Sequence, residues 1–284
     1  MLGSALGPVL RSSASVLVHG HQAQADVHAD VTVASQAQAL LDSVQPAAIV
    51  NLAGYTNVDA CEREPNQAYR LNVRIVENLV SWISKQCSPP VLVHISTDQL
   101  YDSDGPHLEE DVTLSNTYAL TKYAGELAAL RASATVLRTN FFGPSRCARR
   151  ASFTDWLLSR LRTSQPLEVF DDVRFSPLSM TTLCRAISAV LRAPAVGVFN
   201  LGAADGMSKA DFAFAFAQAL DLPTACMERT TTDRVDFLMT YRPKDMRMNS
   251  TAFESTFDMR LPLLAQELQL TCEEYRREST PARA

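Results

Sequence analysis

The chain has 284 residues, 46% of them hydrophobic and 20% charged, with a formal net charge of −5. That is enough for a sizeable core in one large or two modest domains, and the balance excludes a disordered chain. No long basic run gives a footprint for nucleic acid or a membrane surface, and no apolar run reaches the ~20 residues that a membrane helix needs.

The opening MLGSALGPVL reads as the start of a helix with no strand before it. SVLVHGH (15–21) is a short β-branched run that ends in a turn, and SQAQALLDSV (35–44) is a helix that Ser35 can cap. AAIVNLAG (47–54) is a continuous apolar run of the kind buried on both faces of a parallel sheet. EPNQAYRLNVRIVENLVSWISKQ (64–86) has helical spacing with Pro65 near its start. PVLVHIST (90–97) is a second buried strand, NTYALTKYAGELAALRAS (116–133) a helix, and ATVLRTNFFG (134–143) a strand. This alternation predicts a doubly wound parallel α/β sheet. After Gly143 the rhythm loosens: FTDWLLSRLRTSQP (153–166) reads as a helix. GVFNLGAADGMSKADFAFAFAQAL (197–220) reads as strand, turn and helix, with Ser208 and Asp211 at capping-box spacing. The expected division is residues 1–145 as a nucleotide-binding domain and 146–284 as a smaller α/β substrate domain over the sheet's carboxyl edge, with about 168–205 returning to the sheet.

The six cysteines, at 61, 87, 147, 184, 226 and 272, form no C-x-x-C pair, which disfavours zinc and a compact disulfide framework. Scattered thiols, with no signal-peptide pattern at the N-terminus, fit a reducing cytoplasm.

Ligands of open α/β sheets sit at the carboxyl ends of the strands. Three such ends carry polar or small residues: YTNVDACE after IVNLAG, STDQLYD after VLVHI, and NFFG after TVLRT. Tyr118 and Lys122 lie four positions apart and share one helical face. An ammonium beside a phenol lowers the phenol's pKa, and the pair can then protonate a carbonyl oxygen. Ser96 or Thr97, at the neighbouring strand end, can hydrogen-bond the same oxygen.

With these residues in hand, the chain resembles the extended short-chain dehydrogenase/reductases, and among them the dTDP-4-dehydrorhamnose reductases. The matching stretches are IVNLAGYTNVDACEREPNQAYRLNV, ISTDQLYD, NTYALTKYAGE, LRTNFFG and RPKDMRMN. The resemblance implies a Rossmann-like fold and NAD(P)H-dependent reduction of the C4 ketone of a nucleotide-linked 4-keto-6-deoxy sugar. It implies Tyr118 as proton donor, Lys122 as its pKa-lowering partner and ribose ligand, and Thr97 with Ser96 on the ketone oxygen. Gly3, Ala53, Gly54 and Tyr55 would pass along the cofactor's phosphates and ribose, and Asp30 would lie near the adenine. Asp98, Asn140, Phe141 and Arg242 would contact substrate, with Arg242 at the diphosphate.

The family's first strand and first two phosphate-binding glycines have no counterpart here, so the expectation is a chain truncated at its start or a fold that has lost that strand. Gln99-Leu100-Tyr101 replaces the usual aromatic followed by Val-Phe, and the loop before Tyr118 is short. The second strand ends in VHGHQAQ, with His19 and His21 and no acid for a ribose 2′-hydroxyl, which favours NADPH over NADH. Magnesium at a dimer contact is compatible with the family, but no acidic cluster is assigned to it, and a homodimer is left open. Two alternatives stand. One is a non-catalytic regulatory subunit that binds a methionine adenosyltransferase catalytic subunit. The other is a sugar-nucleotide epimerase or dehydratase.

Overall fold

In a computed structural model of the chain, residues 1–20, 25–147 and 150–279 are described; the expectation for His21 lies outside them. The central sheet has four parallel strands in the order Gly197–Leu201, Thr135–Thr139, Val91–Ile95, Ala48–Asn51. Period-2 alternation divides its side chains between two cores. Val93, Ile95 and Leu137 enter one, with Leu2 and Leu6 of the helix Leu2–Arg11 and Leu183 and Ile187 of the helix Met180–Arg192. Leu92 and Val136 enter the other, with Leu41 of Ala34–Val44, Leu79 of Ile75–Ile83 and Ala129 of Thr117–Leu130. Helices therefore cover both faces, and the sheet is doubly wound.

The first core runs on into the second half of the chain. It takes in Leu157 and Leu161 of Phe153–Arg162, Phe212 and Phe216 of Lys209–Ala219, and Leu268 of Leu264–Ser279. A parallel pair, Leu167–Phe170 with Met227–Thr230, flanks these helices. Glycine 197 opens the strand that returns to the main sheet beside Thr135–Thr139.

Four local expectations change. The run at 15–21 gives only the short strand His19–Gly20, paired with Val27–His28 apart from the main sheet. The Ala34–Val44 helix starts one residue before Ser35, on Val33, which has no side-chain oxygen to cap it. The Ala48–Asn51 strand is not buried on both faces: Ala48 is exposed, and Ile49 and Val50 are half-buried, because among the described residues only Val91–Ile95 pairs with it. The helix expected over 64–86 is three pieces, Pro65–Tyr69, a π-helical turn Arg70–Arg74, and Ile75–Ile83. The wide turn presents Asn72 inward, where its amide donates to the Tyr55 carbonyl and to Thr121 Oγ1 (3.2 and 3.0 Å).

Candidate active site

The site is built around the first turns of Thr117–Leu130. Asn116 is the N-cap: its side chain accepts from Ala119 N at 2.9 Å, with extended backbone at φ −159°. One turn in, Tyr118 and Lys122 lie on one face, and both are buried. Two contacts hold the helix down. Gly125 lies so close to the π-turn that a Cβ there would come within 2.4 Å of Asn72 O. Glu126 pairs with Arg138 of the strand Thr135–Thr139 (Oε2 to the guanidinium, 2.6 Å), both almost fully buried.

Three strand ends meet this face. From Val91–Ile95, the Ile95 carbonyl accepts from Lys122 Nζ at 2.7 Å. Thr97 Oγ1 donates to Asp98 Oδ1 at 3.3 Å and accepts from Gln99 N at 3.2 Å, and it lies close enough to the Tyr118 phenol to favour its charged form. From the 139–142 strand end, Asn140 Nδ2 donates to Asp98 Oδ2 at 2.7 Å, so two residues expected on the substrate are tied to each other. From Ala48–Asn51, the 53–55 loop passes beside Lys122: a Cβ on Gly54 would lie 3.9 Å from Nζ and 3.2 Å from Asn72 Oδ1. Ala53 N donates to Asn51 Oδ1 (3.2 Å), and Tyr55 N to Asn72 Oδ1 (2.7 Å). Ser96 Oγ is buried with no hydrogen-bond partner among the described residues.

Burial sets the electrostatics. It holds the Lys122 ammonium down to about 8, against the pull of Glu126. It pushes the Asp98 carboxyl up to about 6, against Asn140 and the Lys209 ammonium. It raises the Tyr118 phenol well above its ordinary value, and Thr97 only partly offsets this. That reverses the direction expected from the Tyr–Lys spacing. The Lys122 ammonium is engaged by a backbone carbonyl, and the cost of a buried phenolate prevails.

The other expected residues make contacts of their own. Gly3 sits at the N-terminus of Leu2–Arg11, where a Cβ would touch Leu52 just past the Ala48–Asn51 strand. Asp30 accepts from Thr32 N and Oγ1, a turn-forming contact. Tyr55 Oη donates to Glu64 (2.8 Å). Phe141 is half-buried against the first core. Arg242 ion-pairs with Asp59 at 2.7 Å, so its guanidinium is partly committed within the protein. Asn72, Asp59 and Lys209 belong to this neighbourhood and were not singled out from the sequence. Asn72 and Asp59 lay inside quoted motifs, and nothing local marked Lys209. Among the described residues no cluster of three or more His, Cys, Asp or Glu could hold a metal, and no helix is long and apolar enough to cross a membrane.

The family model described as RmlD substrate binding domain matches residues 1–277. The chain belongs to this family. Among RmlD-family relatives, a dTDP-4-dehydrorhamnose reductase of Escherichia coli is 28% identical over 78% of this chain and 77% of its own length. The fold is that of a dTDP-4-dehydrorhamnose reductase structure from Clostridium acetobutylicum, with TM-score 0.85 at 22% identity over 97% of this chain and 96% of that one. Methionine adenosyltransferase 2 subunit beta of Pongo abelii is also similar, 26% identical over 76% of this chain and 66% of its length. Like the reductases among its relatives, this RmlD-family chain is an oxidoreductase.

Proposed function

We propose that the chain reduces the C4 ketone of a nucleotide-linked 4-keto-6-deoxy sugar, with NADPH or NADH as reductant. The observation that carries this is that the Tyr118 phenol and Thr97 are both buried at the carboxyl edge of the sheet and act on one another, with Lys122 one helical turn along. The residues present fit a nicotinamide cofactor. Gly3, in the first turn of the Leu2–Arg11 helix, lets its backbone approach the strand end, where helix amides favour phosphate oxygens. Gly54 does the same beside Lys122, the residue that would hold the ribose. When bound, that group supplies the hydride.

The chain's own residues handle the proton. A raised phenol pKa keeps Tyr118 protonated until charge develops on the ketone oxygen, which Tyr118 and Thr97 then hydrogen-bond together. Tyr118 transfers its proton to that oxygen, Lys122 offsets the charge of the phenolate left behind, and water reprotonates it. NADPH is favoured over NADH because the sequence VHGHQAQ at the end of the second strand carries no acid for a ribose 2′-hydroxyl. The direct test adds purified protein to NADPH and a dTDP-4-keto-6-deoxy sugar and follows the loss of dihydronicotinamide absorbance. Oxidation that needs both compounds is expected; no oxidation above background with either reductant would overturn the reading. A second reading, a non-catalytic subunit bound to a methionine adenosyltransferase, rests on the similarity to the beta subunit and predicts that null result.

A further inference from the structure

The helix Leu264–Ser279 buries a carboxylate that takes no part in the chemistry described so far. Glu267, 2% exposed, reaches across to the strand Leu178–Ser179 and the start of the helix Met180–Arg192. One of its oxygens accepts from Ser179 N, and the other from Thr182 Oγ1 at 2.7 Å. Among the described residues no lysine or arginine pairs with it. Burying a charge is costly unless it is hydrogen-bonded, so these two donors carry the compensation.

Helix capping alone does not call for this residue. Ser179 is already the N-cap, its Oγ accepting from Thr182 N at 3.1 Å. In a capping box, the side chain three residues on returns to the N-cap amide. Here that residue is Thr182, whose hydroxyl turns to Glu267, and the Ser179 amide is served from a point 88 residues away. A contact of that span fixes one element against another.

What it fixes is the strand. Leu178–Ser179 runs parallel to Phe141–Phe142, and Leu178 N donates to Asn140 O at 3.0 Å. Asn140 is therefore held twice, its carbonyl by Leu178 and its side-chain amide by Asp98 Oδ2 at 2.7 Å. Asp98 Oδ1 in turn takes the Thr97 hydroxyl at 3.3 Å. A second tie leaves the same helix two turns on. Tyr275 Oη donates to Asp155 Oδ1 at 2.6 Å and lies 2.9 Å from Thr154 Oγ1. Those side chains accept from Ser145 N (Asp155 Oδ2, 3.1 Å) and Gly143 N (Thr154 Oγ1, 3.0 Å). The helix thus grips the Asn140 strand end through the strand beside it and through the residues that follow it.

We propose that Glu267 is a positioning residue for ketone reduction: by its reach to the Ser179 amide it sets the strand that holds Asn140, and through Asn140 the Asp98 carboxylate beside Thr97. This rests on the reading of the site as that of a ketone reductase. Reach matters here, not charge. Aspartate keeps the charge, and with it any favourable effect on the positive end of the helix, but is one methylene short. Glutamine is neutral but spans the gap, its oxygen open to Ser179 N and its NH2 to Thr182 Oγ1.

The test measures NADPH oxidation with a dTDP-4-keto-6-deoxy sugar for wild type, Glu267→Asp, Glu267→Gln and Leu268→Ala, with NADPH affinity and Tm for each. Leu268 is the next residue on the helix, buried in the first core, and its truncation destabilises the helix without touching Ser179. Glu267→Asp should lower kcat/KM for the sugar on the order of 10-fold and leave NADPH affinity unchanged. Glu267→Gln should recover most of that loss. Leu268→Ala should lose Tm and keep kcat/KM. An unchanged kcat/KM in Glu267→Asp would overturn the role, and so would an equal loss in Glu267→Gln or in Leu268→Ala; each of these results leaves the reductase reading intact. Wild type that oxidises no NADPH would overturn that reading and this role with it.

Discussion

Tyr118 and Lys122 are pushed apart in pKa by the same burial, the phenol upward and the ammonium down to about 8. These environments suit the proposed roles, a proton donor that stays protonated and a cation that is charged at neutral pH. A consequence for pH follows. Lys122 is charged below about 8 and neutral above it, so stabilisation of the phenolate is present at neutral pH and lost as pH rises through that value. We expect kcat/KM for ketone reduction to be level near pH 7 and to fall about tenfold per unit above about 8. Asp98, at about 6, titrates below this limb. Lys209 is also lowered, and Lys209→Arg, which cannot lose its proton in this range, should keep the limb. A profile level to pH 9.5 would contradict the role of Lys122.

At the scale of elements, the helix that carries both residues owes its depth to a close approach at Gly125. A methyl there would meet the Asn72 carbonyl at 2.4 Å, backbone against backbone, so neither side can yield by rotating a side chain. Gly125→Ala should therefore cost about 1–3 kcal/mol in urea unfolding and lower activity by lifting the helix, with Tyr118 and Lys122, from the strand end to which Lys122 Nζ donates. Unchanged stability would show that the helix has slack. The helix itself was legible in NTYALTKYAGE, through the capping Asn116 and the four-residue spacing. Its seat was not. The π-turn at Arg70–Arg74 exists because Asn72 must face Tyr55 and Thr121, and that is a tertiary demand invisible to helical periodicity. The edge position of Ala48–Asn51 was hidden for a similar reason, since an apolar run does not report how many neighbours the strand has.

At the scale of the molecule, the second half is strapped across the first by contacts far apart in sequence. Arg242 pairs with Asp59, Asn116 Nδ2 donates to the Tyr241 carbonyl, and Lys244 N donates to Asp102. YTNVDACE and RPKDMRMN were both visible as motifs; that one grips the other through Asp59 and Arg242 was not, because no local pattern spans that separation. Between the contacts, Phe237, Met239 and Tyr241 are exposed. Asp59→Ala should release Arg242 and speed chymotrypsin cleavage near Phe237 several-fold, since cleavage follows local opening; an unchanged rate would show that the other two contacts suffice. What the proposed site is for comes down to one proton. The most direct measurement compares steady-state NADPH oxidation by wild type and Tyr118→Phe with a dTDP-4-keto-6-deoxy sugar at saturation. The site described here requires kcat to fall on the order of 10²-fold or more while sugar-nucleotide binding is kept. Equal kcat in the two proteins would contradict it.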